Sequence, residues 1–150
     1  MSFWSSLRIS SSALFAQRLR LDTISNNVAN AETTKTEDGK PYQRKDVVLT
    51  ANNKVPFLAN LMLTNRSIGE KALNLQGVKV AEIRTDTNPG ETVYEPTNPD
   101  ADENGYVTYP NVNLTVEMTN MLSATRSYEA NLAMVDAAKT MANKAIEIGG

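Results

Sequence analysis

The chain has 150 residues, 41% of them hydrophobic and 21% charged, which is typical of one ordinary domain. Its 15 basic and 17 acidic side chains give a net charge of -2, which excludes a dominant electrostatic footprint for nucleic acid or an anionic membrane. The lack of cysteine and histidine excludes disulfides, thiolate nucleophiles, imidazole bases and metals held by these residues, and with them most familiar enzyme machinery.

The N-terminus does not resemble a secretory signal, because its first residues carry no basic side chain and the nearby apolar run Ala13–Ala16 is too short. No apolar stretch approaches the roughly 20 residues of a membrane span. We therefore expect no direct membrane insertion, and export, if it occurs, without a cleaved signal peptide.

Both ends of the chain are predicted to be long helices. Residues 1–38 and 111–148 contain neither glycine nor proline, so nothing punctuates them. Near the N-terminus, mostly apolar residues recur in steps of three and four, which predicts a helix over 5–30 with a coiled-coil seam. The seam residues are Leu7, Ser10, Leu14, Gln17, Leu21, Ile24, Val28 and Ala31.

Three asparagines, Asn26, Asn27 and Asn30, follow within five positions. Asparagine is a poor helix-interior residue. This cluster therefore predicts the end of the helix, where side-chain amides satisfy backbone groups of the following loop.

The middle of the chain is predicted to be irregular β structure. Asp46–Thr50 is a strand candidate, and Gly77–Arg84 alternates between apolar and polar side chains. Thr92–Tyr94 could pair with that second strand across a turn at Asn88–Gly90, which would give a hairpin. The segment Ala51–Leu75 matches no pattern.

One loop resembles a metal site in part. Asp100, Asp102 and Asn104 precede Gly105 with the spacing that opens a calcium-binding EF-hand loop. The twelfth position is Asn111, where that loop requires a bidentate glutamate. We therefore interpret the segment as a surface turn and expect no metal and no cofactor.

The C-terminal segment predicts one continuous helix over 112–148, with a second seam in steps of four and three. The seam residues are Leu114, Met118, Met121, Thr125, Tyr128, Leu132, Val135, Lys139, Ala142 and Ile146. Such a stripe must be covered, and the other terminal helix, running antiparallel with the seams in contact, is the obvious partner. Few charges and many alanines flank both seams, which favours further helices around them in a multi-subunit assembly.

The predicted fold class is therefore α+β, with long N- and C-terminal helices forming an antiparallel coiled-coil layer and a small irregular β region between them. The terminal segments 1–35 and 111–150 would form one discontinuous helical domain, and 36–110 the central β region.

Four motifs resemble those of bacterial flagellar rod and hook proteins. Asn27–Asn30 reads Asn-Val-Ala-Asn after a heptad helix, as in the N-terminal signature of that family. Three further stretches resemble its proximal rod members. They are Thr36–Lys45, Gly105–Asn113 and the C-terminal pair Glu117–Leu122 and Arg126–Asn131. The resemblance covers roughly residues 5–50 and 90–148.

The resemblance implies a structural subunit, not an enzyme, that polymerises with other rod proteins and with copies of itself into a shaft that transmits motor torque. It implies export unfolded by the flagellar type III export apparatus, and assembly in the periplasmic rod of the basal body around the export channel, with the helices innermost. Neither nucleic acid nor membrane is an expected partner. The residues expected to carry assembly contacts are Leu14, Leu21, Ile24, Asn27, Val28, Asn30, Met118, Met121, Tyr128, Leu132 and Val135.

Two alternatives belong to other classes. A coiled-coil adaptor or secreted interaction protein would bind one partner helix along its seam in a defined stoichiometric complex. A calcium-stabilised binding module would use the loop at Asp100–Gly105.

Overall fold

The computed structural model describes residues 3–52 and 77–149. The helices are α1, Phe3–Ala29, and α2, Leu114–Gly149, close to the predicted bounds. Asn113 begins α2 as its N-cap, since its Oδ1 accepts a hydrogen bond from the backbone N–H of Val116 at 3.1 Å. The predicted α+β class, with two long helices around a small antiparallel strand region, is confirmed. The segment Ala51–Leu75 lies almost wholly outside the described residues.

Four strands occur in the described part of the chain: β1, Lys45–Ala51; β2, Val78–Thr85; β3, Thr92–Tyr94; and β4, Tyr106–Thr108. They form two two-stranded sheets, β1 with β2 and β3 with β4. The predicted strands near 46–50 and 77–84 are confirmed.

The predicted hairpin between Gly77–Arg84 and Thr92–Tyr94 is wrong, because β3 pairs antiparallel with β4 and β2 pairs with β1. The last residue of the expected turn, Gly90, lies against the Tyr109 carbonyl so closely that a Cβ atom would overlap it. This approach places β3 beside β4, where Val107 is buried opposite Val93. The buried side chain of Val107 in β4 thus favours the pairing of β3 with β4 over its pairing with β2, although β2 is nearer in the sequence.

The chain forms two compact units, each built from both ends of the sequence. The first contains the described residues within 3–17, 49–52, 77–81 and 126–149. Within it, the start of α1 and the last turns of α2 line one groove, through Phe3 and Ser6 on one side and Ala142 and Ile146 on the other. Ser12 ties α1 to β2, since its Oγ accepts a hydrogen bond from Val78 N at 3.1 Å.

The second unit contains residues 18–48 and 82–125. Here Asn27 bonds Glu117, and the preceding turn of α1, at Thr23 and Ile24, lies beside Asn120, so the helix segments within this unit run antiparallel. Its buried side chains come from α1, the strands and α2 alike. They are Thr23, Ile24, Asn27, Tyr42, Val47, Val107, Glu117 and Ala124.

The predicted seam on α2 needs correction. Met121, Tyr128, Val135 and Ala142 are half-buried as expected, but Leu114, Met118, Leu132 and Ile146 are exposed. The second buried column instead consists of small or polar side chains one position earlier. These are Glu117, Ala124, Asn131 and Ala138, of which Asn131 is half-buried. Small side chains let neighbouring backbones approach closely, and the larger apolar residues are thereby left outside.

Candidate functional site

The last turn of α1 holds a fully buried asparagine that pairs with β1. Asn27 Nδ2 donates to the Lys45 carbonyl at 2.7 Å, and the Lys45 N–H donates to Asn27 Oδ1 at 2.9 Å. The side-chain amide therefore exchanges two hydrogen bonds with the strand backbone, as a neighbouring strand residue would. Asn27 Nδ2 also donates to Glu117 Oε2 at 3.1 Å, which links the same amide to α2.

A buried carboxylate is the second element of this cluster. Glu117 lies in the first turn of α2 with no solvent exposure. Its Oε1 accepts hydrogen bonds from Arg44 Nε at 2.9 Å and from Arg44 Nη2 at 2.7 Å. The carboxylate is thus neutralised by the one ion pair found within residues 3–52 and 77–149. Removing one partner of such a pair leaves an uncompensated buried charge, so the pair fixes how its elements meet.

Tyr42 completes the cluster from the chain between α1 and β1. Its hydroxyl donates toward Asn27 Oδ1 at 2.9 Å, with Asn26 Oδ1 at 3.2 Å. Burial, and then the negative charge of Glu117, raise the pKa of the Tyr42 hydroxyl above its ordinary 10.0. The hydroxyl therefore stays protonated and remains a donor at physiological pH. We call Asn27, Tyr42, Arg44, Lys45 and Glu117 the polar junction.

The polar junction has a structural role. The Asn27 amide uses both of its donors and accepts two bonds at its oxygen, which is its full capacity. The Glu117 carboxylate is engaged at both oxygens. A saturated network of this kind holds its backbone segments in one register instead of presenting a free base or nucleophile.

The structure places the predicted residues of α1 in different surroundings. Asn27 lies in the polar junction, and Ile24 is buried beside it. Asn30 caps the helix locally, because its Nδ2 donates to the Asn26 carbonyl at 2.9 Å. Leu14, Leu21 and Val28 are half-buried. The predicted helix end is therefore confirmed, but Asn30 bonds a carbonyl of the last helical turn and Asn27 reaches β1, so neither amide satisfies a backbone group of the following loop.

The predicted residues of α2 divide into two groups. Met121, Tyr128 and Val135 are half-buried, whereas Met118 is 56% and Leu132 44% exposed. These two side chains leave about half of their surface exposed, and that surface is available to another chain.

Sequence reasoning missed four members of the polar junction: Tyr42, Arg44, Lys45 and Glu117. The Arg44 guanidinium binds Glu117, a residue that is distant from it in the sequence. One signal could have found the pair. Glu117 lies four residues before Met121, in register with a seam, and a charge in such a position needs a buried partner.

The calcium-like loop is a turn, as interpreted. Asp102 Oδ1 accepts hydrogen bonds from Asn104 N at 2.8 Å and Tyr106 N at 2.9 Å, which closes an Asx turn. Asp100 Oδ2 accepts one from Thr34 Oγ1 at 2.7 Å. Residues 3–52 and 77–149 contain no group of three or more acidic side chains placed to hold a metal ion. No helix among them is long and apolar enough to span a membrane.

Large apolar side chains on the outer faces of both helices form a second candidate site. On α1, Trp4 is 75% and Phe15 68% exposed. On α2 the exposed apolar residues fall on two sides of the helix, separated by the buried seam. The first side carries Met118, Leu122 and Leu132, and the second carries Met134, Met141 and Ile148.

Two family models match the chain. One, described as flagella basal body rod protein, matches residues 7–35 and includes Asn27. The other, described as flagellar basal body rod FlgEFG protein C-terminal, matches residues 103–148 and includes Glu117. Each model thus contains one helix and one partner of the Asn27–Glu117 hydrogen bond.

The chain is similar over nearly its full length to proteins named flagellar basal-body rod protein FlgC. It is 42% identical to that of Borreliella burgdorferi, over 99% of this chain and 98% of the relative. It is 42% identical to that of Bacillus subtilis, over 99% of both chains. It is 40% identical to that of Escherichia coli O157:H7, over 94% of this chain and 93% of the relative.

Proposed function

The chain belongs to the FlgC family of flagellar basal-body rod proteins, and we propose that it polymerises into the rod through the outer faces of its two helices. It is a structural subunit of that rod. Its polymer, built with other rod proteins and with copies of itself, transmits motor torque as a drive shaft around the export channel.

The observation that carries this proposal is the exposed apolar surface on two sides of α2. Leu132 on one side and Met134 on the other are both exposed, although they lie only two residues apart. Two residues correspond to about 160° around a helix, measured the shorter way. Neighbours are therefore needed on three sides of α2: one at the buried seam and one at each exposed face. A polymer supplies several neighbours, whereas an adaptor with one partner helix would leave one face in water.

The proposal extends to domain organisation and contact residues. The segments 1–35 and 111–150 form the helical layer that assembles, and 36–110 forms the region outside it. Met118 and Leu132 contact neighbouring subunits directly. Asn27 and Ile24 act indirectly by fixing the helix pair through the polar junction. The other predicted contact residues are half-buried and become covered on assembly, as does the cap at Asn30. They are Leu14, Leu21, Val28, Met121, Tyr128 and Val135.

We propose that the subunit has no catalytic activity and binds no cofactor. The saturated polar junction supports this, because Arg44 and Glu117 are paired with each other and the Tyr42 hydroxyl is bonded to Asn27. We also propose that the flagellar type III export apparatus delivers it to the periplasmic rod without a cleaved signal. Nucleic acid is not a partner, as the nearly balanced charge indicates.

The test is to delete the gene in its own bacterium, restore it with an epitope-tagged copy, and purify intact basal bodies. The tagged chain should be found in basal bodies in multiple copies, and the deletion strain should lack rods and motility. A motile deletion strain, or a tagged chain found only in a soluble one-to-one complex, would contradict the proposal, and the second result would favour the adaptor.

A further inference from the structure

The outer face of α1 presents two aromatic side chains and two arginines in alternation. Trp4, Arg8, Ser11, Phe15 and Arg18 are all exposed and recur in steps of four and three, which places them on one side of the helix. Within residues 3–52 and 77–149 the one ion pair lies in the polar junction, so neither arginine of this face has a carboxylate partner there. We call these five residues the α1 stripe.

One of the two exposed sides of α2 carries the opposite charge. Leu132 lies between Glu129 and Asp136, and all three side chains are exposed. The two carboxylates are seven residues apart, about 10 Å along the helix. Exposed Met118 continues this side toward the start of α2, and exposed Lys139 follows Asp136 toward its end. We call Glu129, Leu132 and Asp136 the α2 stripe.

We propose that the α1 stripe of one copy packs on the α2 stripe of a second copy, with Phe15 against Leu132 and the arginines beside the two carboxylates. An apolar centre flanked by charges then meets an apolar centre flanked by opposite charges, which sets register and rejects like-charged faces. The stripes are different surfaces, so the contact is head-to-tail, and it repeats into an open polymer when the rotation between copies does not close a ring. This inference rests on the proposed function and specifies its self-contact.

The other exposed side of α2 does not fit the α1 stripe. Met134 is 60% exposed, but its neighbours on that side, Ala130 and Ala137, carry no charge. A guanidinium from Arg8 or Arg18 would be desolvated there without a carboxylate partner, which is unfavourable. Charge therefore distinguishes two apolar surfaces that exposure alone does not.

The test is cross-linking between two differently tagged copies in the same cells. One copy carries Phe15→Cys and the other Leu132→Cys, and the natural chain has no cysteine to give background. A short bis-maleimide is applied to purified basal bodies, and cross-linked pairs are identified by both tags. The matched control replaces Leu132→Cys with Met134→Cys, a more exposed position on the same helix.

A mixed-tag product with Leu132→Cys, and its loss with Met134→Cys, is the expected result. Preferential linking to Met134→Cys, or linking of two Phe15→Cys copies to each other, would overturn the proposal. So would the absence of any product when both copies are present in basal bodies. Absence of the wild-type chain from basal bodies would instead reject the proposed function itself, so the two failures are distinguishable.

A second test can be used even if the cysteine variants fail to assemble into basal bodies. Arg8→Glu with Arg18→Glu should abolish motility, and so should Glu129→Arg with Asp136→Arg. Combining all four changes restores opposite charges across the contact and should recover motility at least in part. If the fourfold variant swims no better than either double variant, while each double variant is exported and folded, the contact is not formed by these stripes.

Discussion

Replacing Asn27 with alanine should destabilise the subunit strongly, because four hydrogen bonds of the polar junction end on this one amide. Glu117 keeps Arg44, and the Tyr42 hydroxyl keeps Asn26 Oδ1. The Lys45 N–H and the Lys45 carbonyl lose the Asn27 amide as their hydrogen-bond partner. Both of these hydrogen bonds are part-buried, and a typical bond contributes about 0.5–1.5 kcal/mol net, so losing the two gives a loss of about 1–3 kcal/mol.

That loss is a large part of the stability of an ordinary domain, which is about 5–15 kcal/mol. With a urea m-value of about 2 kcal/mol/M, a loss of about 1–3 kcal/mol lowers the unfolding midpoint by about 0.5–1.5 M. The measurement is urea unfolding of the purified chain followed by far-ultraviolet circular dichroism, with the m-value compared between variants.

The matched control is Asn30→Ala. Asn30 is three residues away, and its bonds are local, to the Asn26 carbonyl and to Asn26 Oδ1 at 3.1 Å. We expect a change below about 0.5 kcal/mol, as for other substitutions away from buried networks. Asn27→Asp keeps the shape of the side chain, but it removes the donor toward the Lys45 carbonyl and Glu117 and adds a negative charge beside Glu117. If Asn27→Ala lowers the midpoint no more than Asn30→Ala, the polar junction does not stabilise the fold.

Three further outcomes are expected. Leu132→Asp should leave the unfolding midpoint of the purified chain nearly unchanged, because the side chain is 44% exposed. The same change should block rod growth and swimming, and a variant that swims would contradict the role of Leu132 in assembly. Burial, and then Glu117, raise the pKa of Tyr42, so the stability it contributes is full below about pH 10 and is lost as the pH rises through the folded-state pKa. Tyr42→Phe should therefore flatten the alkaline decline of the unfolding midpoint, and an unchanged slope would contradict this. Gly90→Ala should lower the free energy of unfolding by about 1–3 kcal/mol, because its Cβ would overlap the Tyr109 carbonyl, whereas Gly149→Ala, with nothing within 4 Å, should not.

The helices could be predicted from the sequence because their signals are local. The absence of glycine and proline, and a repeat in steps of three and four, are properties of adjacent residues, and both helices end close to the predicted bounds. The cap at Asn30 is local for the same reason. Strand β1 was predictable from Val47 and its neighbours alone.

Strand partners and the polar junction could not be predicted in this way, because they join distant residues. Glu117 and Arg44 are 73 positions apart, and nothing near either residue names the other. The nearer strand seemed the natural partner for Thr92–Tyr94, yet buried Val107 and the close approach of Gly90 to Tyr109 select β4. Tertiary contacts of this kind override local pairing preferences.

The error in the α2 seam has a physical reason that bears on assembly. The prediction put the largest apolar side chains inside, as a single chain would if it had to bury all it could. The subunit instead buries Ala124, Ala138 and Glu117, and leaves Leu132 and Met134 exposed. Small seam residues remove little apolar area from water when the chain folds. Because hydrophobic stabilisation is proportional to the apolar area buried, much of it is gained only against other chains. Folding and polymerisation then draw on the same helices, and each added neighbour stabilises the subunit it covers.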